Sequence, residues 1–325
     1  MTIFIRRLQK IGSSIHVSLP KDWIEANQLA KSDQVELNVG SDGLSITVSK
    51  VNRPSKELVI SYPLPKEENI VADITGAYLL GYDLIRIKGK STISAPDREK
   101  IRGSMRRLVG MEIVEEDSTN VNVQFLLDST TLNPRKILKR MSSITLGMFR
   151  DTLETLVSMD KTTLQTIPNR DDEIDRQYFL LVRLIRSTMI DQRLASALNL
   201  QNIDFLDYRV AANLIETAGD TIVEFANSIQ STTLNKNNLR KIYDLGKKIE
   251  NIQEKSISAF IENNRSLAIE AIVLHKEHQR RILNLRSSLE QKKQIPLDFL
   301  DLLYIVERIE RSWSDISDLV KPVYN

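Results

Sequence analysis

The chain has 325 residues, of which 41% are hydrophobic and 27% are charged, and its formal net charge is +2. This is the composition of a folded protein of two or three domains, and its near-neutrality excludes a chain that is polycationic throughout. The absence of cysteine excludes disulfides, thiolate metal sites, iron–sulfur clusters and a cysteine nucleophile, and it favours a cytoplasmic location. No apolar run approaches the roughly 18 residues of a membrane span, so we expect no membrane insertion.

The first 50 residues are rich in turn signals and basic side chains. Their alternation predicts strands over 4–10, 15–19, 35–39 and 44–49 and a short helix over 21–27. So small a segment encloses a poor core, and apolar residues such as Val17, Trp23 and Leu37 need a partner surface. We therefore expect an obligate homodimer. Residues 1–31 carry five basic residues against Asp22 and Glu25, a net charge of +3, which leaves −1 for the rest.

Residues 56–130 alternate strand and helix signals. Strands are predicted at 58–60, 84–87, 112–114 and 121–125, with helices at about 67–80 and 96–109. The order β-α-β-α-β-β describes a small α/β domain. Gly76 and Gly81 flank a helix end and do not form a dinucleotide-binding fingerprint.

The remaining residues are predicted to be all helical. Only Pro168 and Pro296 interrupt the stretch from Arg135 to Lys321, and apolar residues recur there at three- and four-residue steps. Six long amphipathic helices form two blocks of three, which resemble an internal duplication. The expected fold is a multidomain α+β chain with domains at 1–52, 56–130, 133–231 and 236–322, the last two being three-helix bundles.

Catalytic motifs are missing from the sequence. It has no Gly-x-Ser-x-Gly, His-Glu-x-x-His or Walker loop, and it holds only three histidines. We therefore predict that the chain is not an enzyme.

The basic front segment carries a recognisable motif, Arg-Arg-Leu-Gln-Lys-Ile-Gly-Ser-Ser-Ile-His-Val-Ser-Leu-Pro-Lys-Asp-Trp, at residues 6–23. It resembles the AbrB/SpoVT domain, and more closely the version fused to PhoU-type helical repeats in archaeal phosphate-uptake regulators. Residues 80–85 and 111–116 resemble the middle domain of that fusion family, and residues 172–180 resemble its first helical repeat. The resemblance implies a dimeric swapped-hairpin β-barrel that binds DNA.

Six residues of the front segment are the candidates for DNA contact. Basic side chains neutralise phosphates, and arginine also reads guanine by two parallel hydrogen bonds, which favours Arg6 and Arg7 for base recognition. The alternatives are a merely solvated basic face, or a barrel that only dimerises. The candidates are Arg6, Arg7, Lys10, Ser13, Ser14 and Lys21.

The same resemblance implies a metal site on the helices, because PhoU proteins hold metal through Glu/Asp-x-x-x-Asp motifs. Asp171 with Asp175, and Glu216 with Asp220, match the motif in the first repeat, so a divalent or iron ion is expected there. The i,i+4 spacing places each pair on one helix face, and carboxylate oxygens suit hard cations. Amphipathic helices also carry exposed acids without binding metal.

The second repeat departs from this pattern. His275 and Gln279 replace one acidic pair, and Glu307 with Arg311 replaces the other. An arginine among the ligands opposes a cation, so this site is expected to be lost. Chelation by His275 and His278 with Glu277 is the weaker alternative.

The leading hypothesis is a DNA-binding transcriptional regulator of phosphate uptake whose helical repeats sense a signal or bind a partner, such as a component of the phosphate transporter. The alternative is a cytosolic adaptor that modulates a phosphate transporter and uses its barrel only to dimerise. A third reading is a scaffold with neither activity.

Overall fold

The computed structural model describes residues 3–39, 43–48, 55–65, 68–200, 202–290 and 296–320. The chain divides into two compact units, residues 1–55 and residues 56–325. Most of the described chain is helical, with small sheets towards its N-terminus. Among the described residues, no helix is both long and apolar enough to cross a membrane.

The first unit consists of two short hairpins around one helical turn. Its hairpins are separate antiparallel pairs, β1 with β2 and β3 with β4. The elements are β1 Gln9–Ile11, β2 Ser14–His16, α1 Lys21–Ala26, β3 Val35–Val39 and β4 Leu44–Val48. The predicted strand over 4–10 was too long, because residues 3–8 pair with no described strand of this chain.

The second unit begins with a four-stranded mixed sheet. Its strand order is β5-β6-β8-β7, with β5 and β6 parallel and the other pairs antiparallel. The elements are β5 Glu57–Tyr62, α2 Ile70–Leu79, β6 Leu84–Gly89, α3 Ala95–Arg107, β7 Met111–Glu116 and β8 Asn120–Phe125. Asn69 and Ser94 cap the two helices by accepting hydrogen bonds from backbone N–H groups, which fixes where each helix begins. The predicted β-α-β-α-β-β order is confirmed.

Six long helices follow, close to the predicted positions. Asn133 caps the first of them and proline occupies its first helical position, as the sequence indicated. The six long helices are α4 Pro134–Ser158, α5 Ile167–Ile190, α7 Asn202–Ser231, α8 Lys236–Glu262, α9 Arg265–Glu290 and α10 Leu297–Asp315, and a short α6, Gln192–Ala197, lies between α5 and α7 in the chain. The short α6 was not predicted, since six residues are too few to show a helical period.

The two helical blocks share one core. Phe149 of α4 stacks on Phe225 of α7 at 6.3 Å between ring centroids and meets Trp313 of α10 edge-to-face at 5.1 Å. All three rings are fully buried. Because aromatic rings bury large apolar areas, this trio joins the first block to the second.

Arg183 ties the mixed sheet region to α5. Its guanidinium donates to the carbonyl oxygens of Tyr78 and Tyr82 at 2.8 Å each and lies 3.9 Å from the centroid of the Phe125 ring. The side chain is 4% exposed and also pairs with Asp83. A buried arginine with these partners fixes α5 against the α2–β6 turn.

Candidate nucleic-acid interface and acidic cluster

The turn of the first hairpin presents polar groups next to basic ones. In the β1–β2 register Ile11 faces Ser14, so Gly12 and Ser13 form a two-residue turn. Gly12 has φ +62°, the left-handed conformation that glycine adopts without steric cost. Ser13 in the turn and Ser14 at the start of β2, both exposed, therefore lie at the tip of the hairpin that carries Lys10.

The predicted DNA-contacting residues all lie on the surface of the first unit. Arg6 and Arg7 precede β1, Lys10 is on β1, and all three are exposed. Lys21, at the start of α1, forms an exposed pair with Glu25 at 3.4 Å, which offsets part of its charge. Arg6, Arg7 and Lys10 are therefore the stronger phosphate-contacting candidates, and Lys21 the weaker.

The first unit leaves most of its large apolar residues exposed. Among the residues of this unit whose burial the structure describes, only Val48 is buried. Apolar exposure on this scale is typical of a surface that another molecule covers. The exposed large apolar residues are Ile3, Phe4, Ile5, Leu8, Ile11, Ile15, Val17, Leu37, Val39 and Leu44.

In the second unit, α5 and α7 bring the four predicted carboxylates together. A Cβ atom added at Gly219 of α7 would lie 2.8 Å from Oδ1 of Asp171 and 3.1 Å from Cδ1 of Ile174. The missing side chain at Gly219 thus lets α5 approach α7 closely between Glu216 and Asp220. Asp171 and Asp220 open into a shallow surface depression beside Glu224.

The acidic cluster comprises Asp171, Asp175, Glu216 and Asp220, and burial and mutual repulsion disfavour ionisation of the first three. Burial, and then the Asp220, Asp175 and Glu216 carboxylates, raise the pKa of Asp171 to about 7. Burial also raises the pKa of Asp175 and of Glu216. A site that resists negative charge in this way gains from a cation.

The carboxylate oxygens of the cluster suit a cation, but their arrangement does not form a complete coordination site. Arg107 of α3 pairs with Asp175 at 3.2 Å and competes for that carboxylate. Within the described part of the chain, no group of three or more histidine and carboxylate side chains is placed to hold a metal ion. Asp171, Glu216 and Asp220 make no ion pair with a described basic residue, so they are the oxygens that an ion would meet first.

The second repeat holds a different polar cluster, of which the sequence analysis named the two histidines but not the acidic partner. Glu310 of α10 is fully buried and faces two histidines of α9, His275 Nδ1 at 3.0 Å and His278 Nδ1 at 2.6 Å. Glu277, the third residue of the weaker chelation alternative, is exposed instead. It lies two residues after His275 and one before His278, which places it away from the face of α9 that the two histidines share. Arg286 pairs with Glu307, the residue expected to sit beside Arg311.

Glu310 could have been found from its spacing. It follows Val306 by four residues and precedes Trp313 by three, so it lies on the buried side of α10. An acid in an apolar stripe is a rare position that calls for a buried partner.

The chain thus combines three parts: a small hairpin unit with exposed basic side chains, a mixed sheet, and a helical body that carries an acidic cluster. Residues 8–56 match the family model described as antidote-toxin recognition MazE, bacterial antitoxin, and residues 138–229 match that of the PhoU domain. The pairing of an AbrB/MazE-like segment with a PhoU domain, predicted from the motifs, is confirmed.

One relative and two solved structures each match more than half of this chain. The chain is 28% identical over 182 residues to the phosphate-specific transport system accessory protein PhoU homolog of Clostridium acetobutylicum, over 53% of this chain and 82% of that protein. PhoU from Pseudomonas aeruginosa aligns at TM-score 0.45 and 17% identity over 57% of this chain and 93% of that chain. The phosphate transport system regulatory protein PhoU from Streptococcus pneumoniae aligns at TM-score 0.44 and 17% identity, over 57% and 91%.

Proposed function

We propose that this protein is a DNA-binding transcriptional regulator of phosphate transport. The observation that carries the proposal is the joining, in one chain, of an antitoxin-like hairpin unit with exposed basic side chains to a PhoU domain. The hairpin unit supplies the DNA contact, and the helical body receives the signal. The relative from Clostridium acetobutylicum is named as an accessory protein of phosphate-specific transport, which supports a transporter component as the partner of the helical body.

In this proposal the hairpin unit binds DNA as a homodimer. Its exposed apolar residues supply the surface that two copies bury in a closed barrel, and dimerisation presents Arg6, Arg7 and Lys10 twice. Phosphate neutralisation gives most of the affinity and makes it dependent on salt. Ser13 and Ser14 add neutral contacts at the hairpin tip, and the arginines supply base recognition.

The acidic cluster is proposed as a cation site of the helical body. Asp171, Glu216 and Asp220 supply hard oxygen ligands, and a bound divalent or iron ion would relieve the repulsion that adds to burial in raising the pKa of Asp171. Elemental analysis of the purified protein tests this directly. Iron, zinc or manganese that disappears in D171N/D220N supports the site, and background levels in the wild type exclude it.

The DNA contact is tested by a salt series of gel shifts on the DNA upstream of the chain's own gene. R6A/R7A should weaken retention and lower the slope of log K against log salt by up to about 3–4, because a dimer loses four cations. The matched control is R280A/R281A, which removes an adjacent, exposed arginine pair from α9. Retention that R6A/R7A leaves unchanged contradicts the assignment, and no retention by the wild type favours the adaptor.

A further inference from the structure

A patch of large apolar side chains lies exposed where α5 ends and α7 begins. Met189 is 65% exposed and Leu206 is 60% exposed, and their sequence neighbours Ile190 and Ile203 are 67% and 50% exposed. Monomeric proteins rarely leave such side chains clustered, since exposed apolar area is costly in water.

The patch forms because the apolar stripe of α5 extends one step beyond the part of the helix that is buried. Ile174, Leu181 and Ile185 are buried at helical spacing, and one more four-residue step reaches Met189 in solvent. On α7, Phe205 is buried while the adjacent Leu206 faces out. Between the two helices lies a groove of about 460 Å³, lined by Ile185, Arg186, Met189, Phe205, Leu206 and Arg209.

The two arginines give the groove a positive charge that no described carboxylate cancels by an ion pair. Among the described residues, Arg186 donates one long hydrogen bond, 3.5 Å, to the carbonyl oxygen of Leu79. The Arg209 guanidinium lies 4.9 Å from the centroid of the Tyr178 ring. Both guanidinium groups can therefore still pair with carboxylates, for which their planar donors are well suited.

We propose that this groove docks an amphipathic helix of a partner protein. Its bulky apolar side chains would cover Met189 and Leu206, and its carboxylates would pair with Arg186 and Arg209. A groove between two helices accepts a third helix through side chains at i, i+3, i+4 and i+7. Charge complementarity selects an acidic helix over a basic one. The site lies on α5 and α7 alone, so it does not depend on DNA binding by the hairpin unit.

Peptide display tests the proposal with the full-length protein. A library of random 16-residue helical peptides is panned on the wild type, and the recovered peptides are measured by fluorescence anisotropy. We expect sequences with apolar residues at i, i+3 or i+4, and i+7 and an excess of Asp and Glu. M189S/L206S should raise their Kd at least tenfold, and R186E/R209E should shift the preference towards basic peptides.

The matched control is L283S, which changes a side chain on α9 that is 58% exposed, close to the 60% of Leu206. It should leave the Kd unchanged, and melting curves show whether each variant is folded. Recovery of no peptide, of basic peptides, or of peptides indifferent to M189S/L206S would overturn the proposal. Two other results would also overturn it. A lower oligomeric state of M189S/L206S in sedimentation would show that a second copy of this chain occupies the groove. Loss of binding to phosphatidylglycerol vesicles in the same variant would show that lipid occupies it.

Discussion

At the scale of single residues, Asp171 makes a prediction about stability. Its pKa is raised to about 7 in the folded state, so between pH 4 and 7 the folded chain holds a proton that the unfolded chain has lost. The free energy of unfolding therefore falls as pH rises through this window. Above pH 7 the whole destabilisation caused by ionised Asp171 remains. In metal-free buffer at pH 8, D171N should be more stable than the wild type by about 1–2 kcal/mol, after allowance for partial exposure.

Thermal melts of D171N and the wild type across pH 4–8 measure this difference. The matched control is D301N, which changes an exposed carboxylate on α10. A D171N curve that runs parallel to the wild-type curve over the whole range would show that Asp171 ionises normally.

Glu310 makes a second prediction about stability. The free energy of unfolding should fall towards both low pH and high pH. His278 Nε2 lies 3.1 Å from the carbonyl oxygen of Leu245, which only accepts, while its Nδ1 faces Glu310. Both contacts need a hydrogen, so one proton is held between His278 and Glu310.

The pKa values around Glu310 follow from these contacts. The hydrogen bond to Glu310 raises the pKa of His275, although burial opposes the rise. Burial opposes ionisation of Glu310, but its hydrogen bonds with His275 and His278 outweigh burial and lower its pKa. The Glu310 contribution is lost as pH falls and the His275 contribution as pH rises, so their sum is largest between about pH 4.3 and 6.5.

E310Q should flatten both limbs of the stability profile and destabilise the chain by about 3–5 kcal/mol, the usual cost of breaking a buried charge pair. Denaturant unfolding at several pH values measures the profile, and E277Q, an exposed change on α9, is the control. A variant that keeps the wild-type pH profile would contradict the assignment.

At the scale of elements, α4 and α8 pack closely because Gly246 has no side chain. A Cβ atom there would collide with Cδ2 of Leu153 and lie 2.9 Å from its Cδ1. G246A gains up to about 1 kcal/mol of helix propensity but should lose about 1–3 kcal/mol to overpacking, a net destabilisation.

The control for this packing prediction is G103A on α3, where a Cβ meets nothing within 4 Å. This variant should gain stability by about 0.5–1 kcal/mol in chemical denaturation. If both variants gain equally, the α4–α8 contact is looser than the structure indicates.

The elements also show what the sequence could and could not predict. The helices were predictable because caps such as Asn133 and apolar stripes are local signals. The joining of α5 to the mixed sheet was not predictable, because Arg183 meets Tyr78 across about 100 positions of chain. The four acidic side chains were found because they match a motif of the PhoU-type repeats that the sequence resembles, whereas the competition from Arg107 depends on the packing of α3 beside α5.

At the scale of the whole molecule, dimerisation through the hairpin unit is the prediction on which DNA binding depends. Ile5 is 89% exposed and Leu8 is 74% exposed, so charges placed there should cost little in a monomer but break an apolar interface. I5D/L8D should sediment as a monomer where the wild type is a dimer. V59S, a change at a 52% exposed residue of β5, should leave the dimer intact, and a dimeric I5D/L8D would rule out this interface.

The proposed regulation of phosphate transport through DNA is best tested by genome-wide capture of DNA bound to this protein in phosphate-rich and phosphate-poor cells. We expect sites near phosphate-transport genes, with an occupancy that changes with phosphate and is lost in R6A/R7A. Absence of enriched sites, or an occupancy that phosphate does not alter, would contradict it.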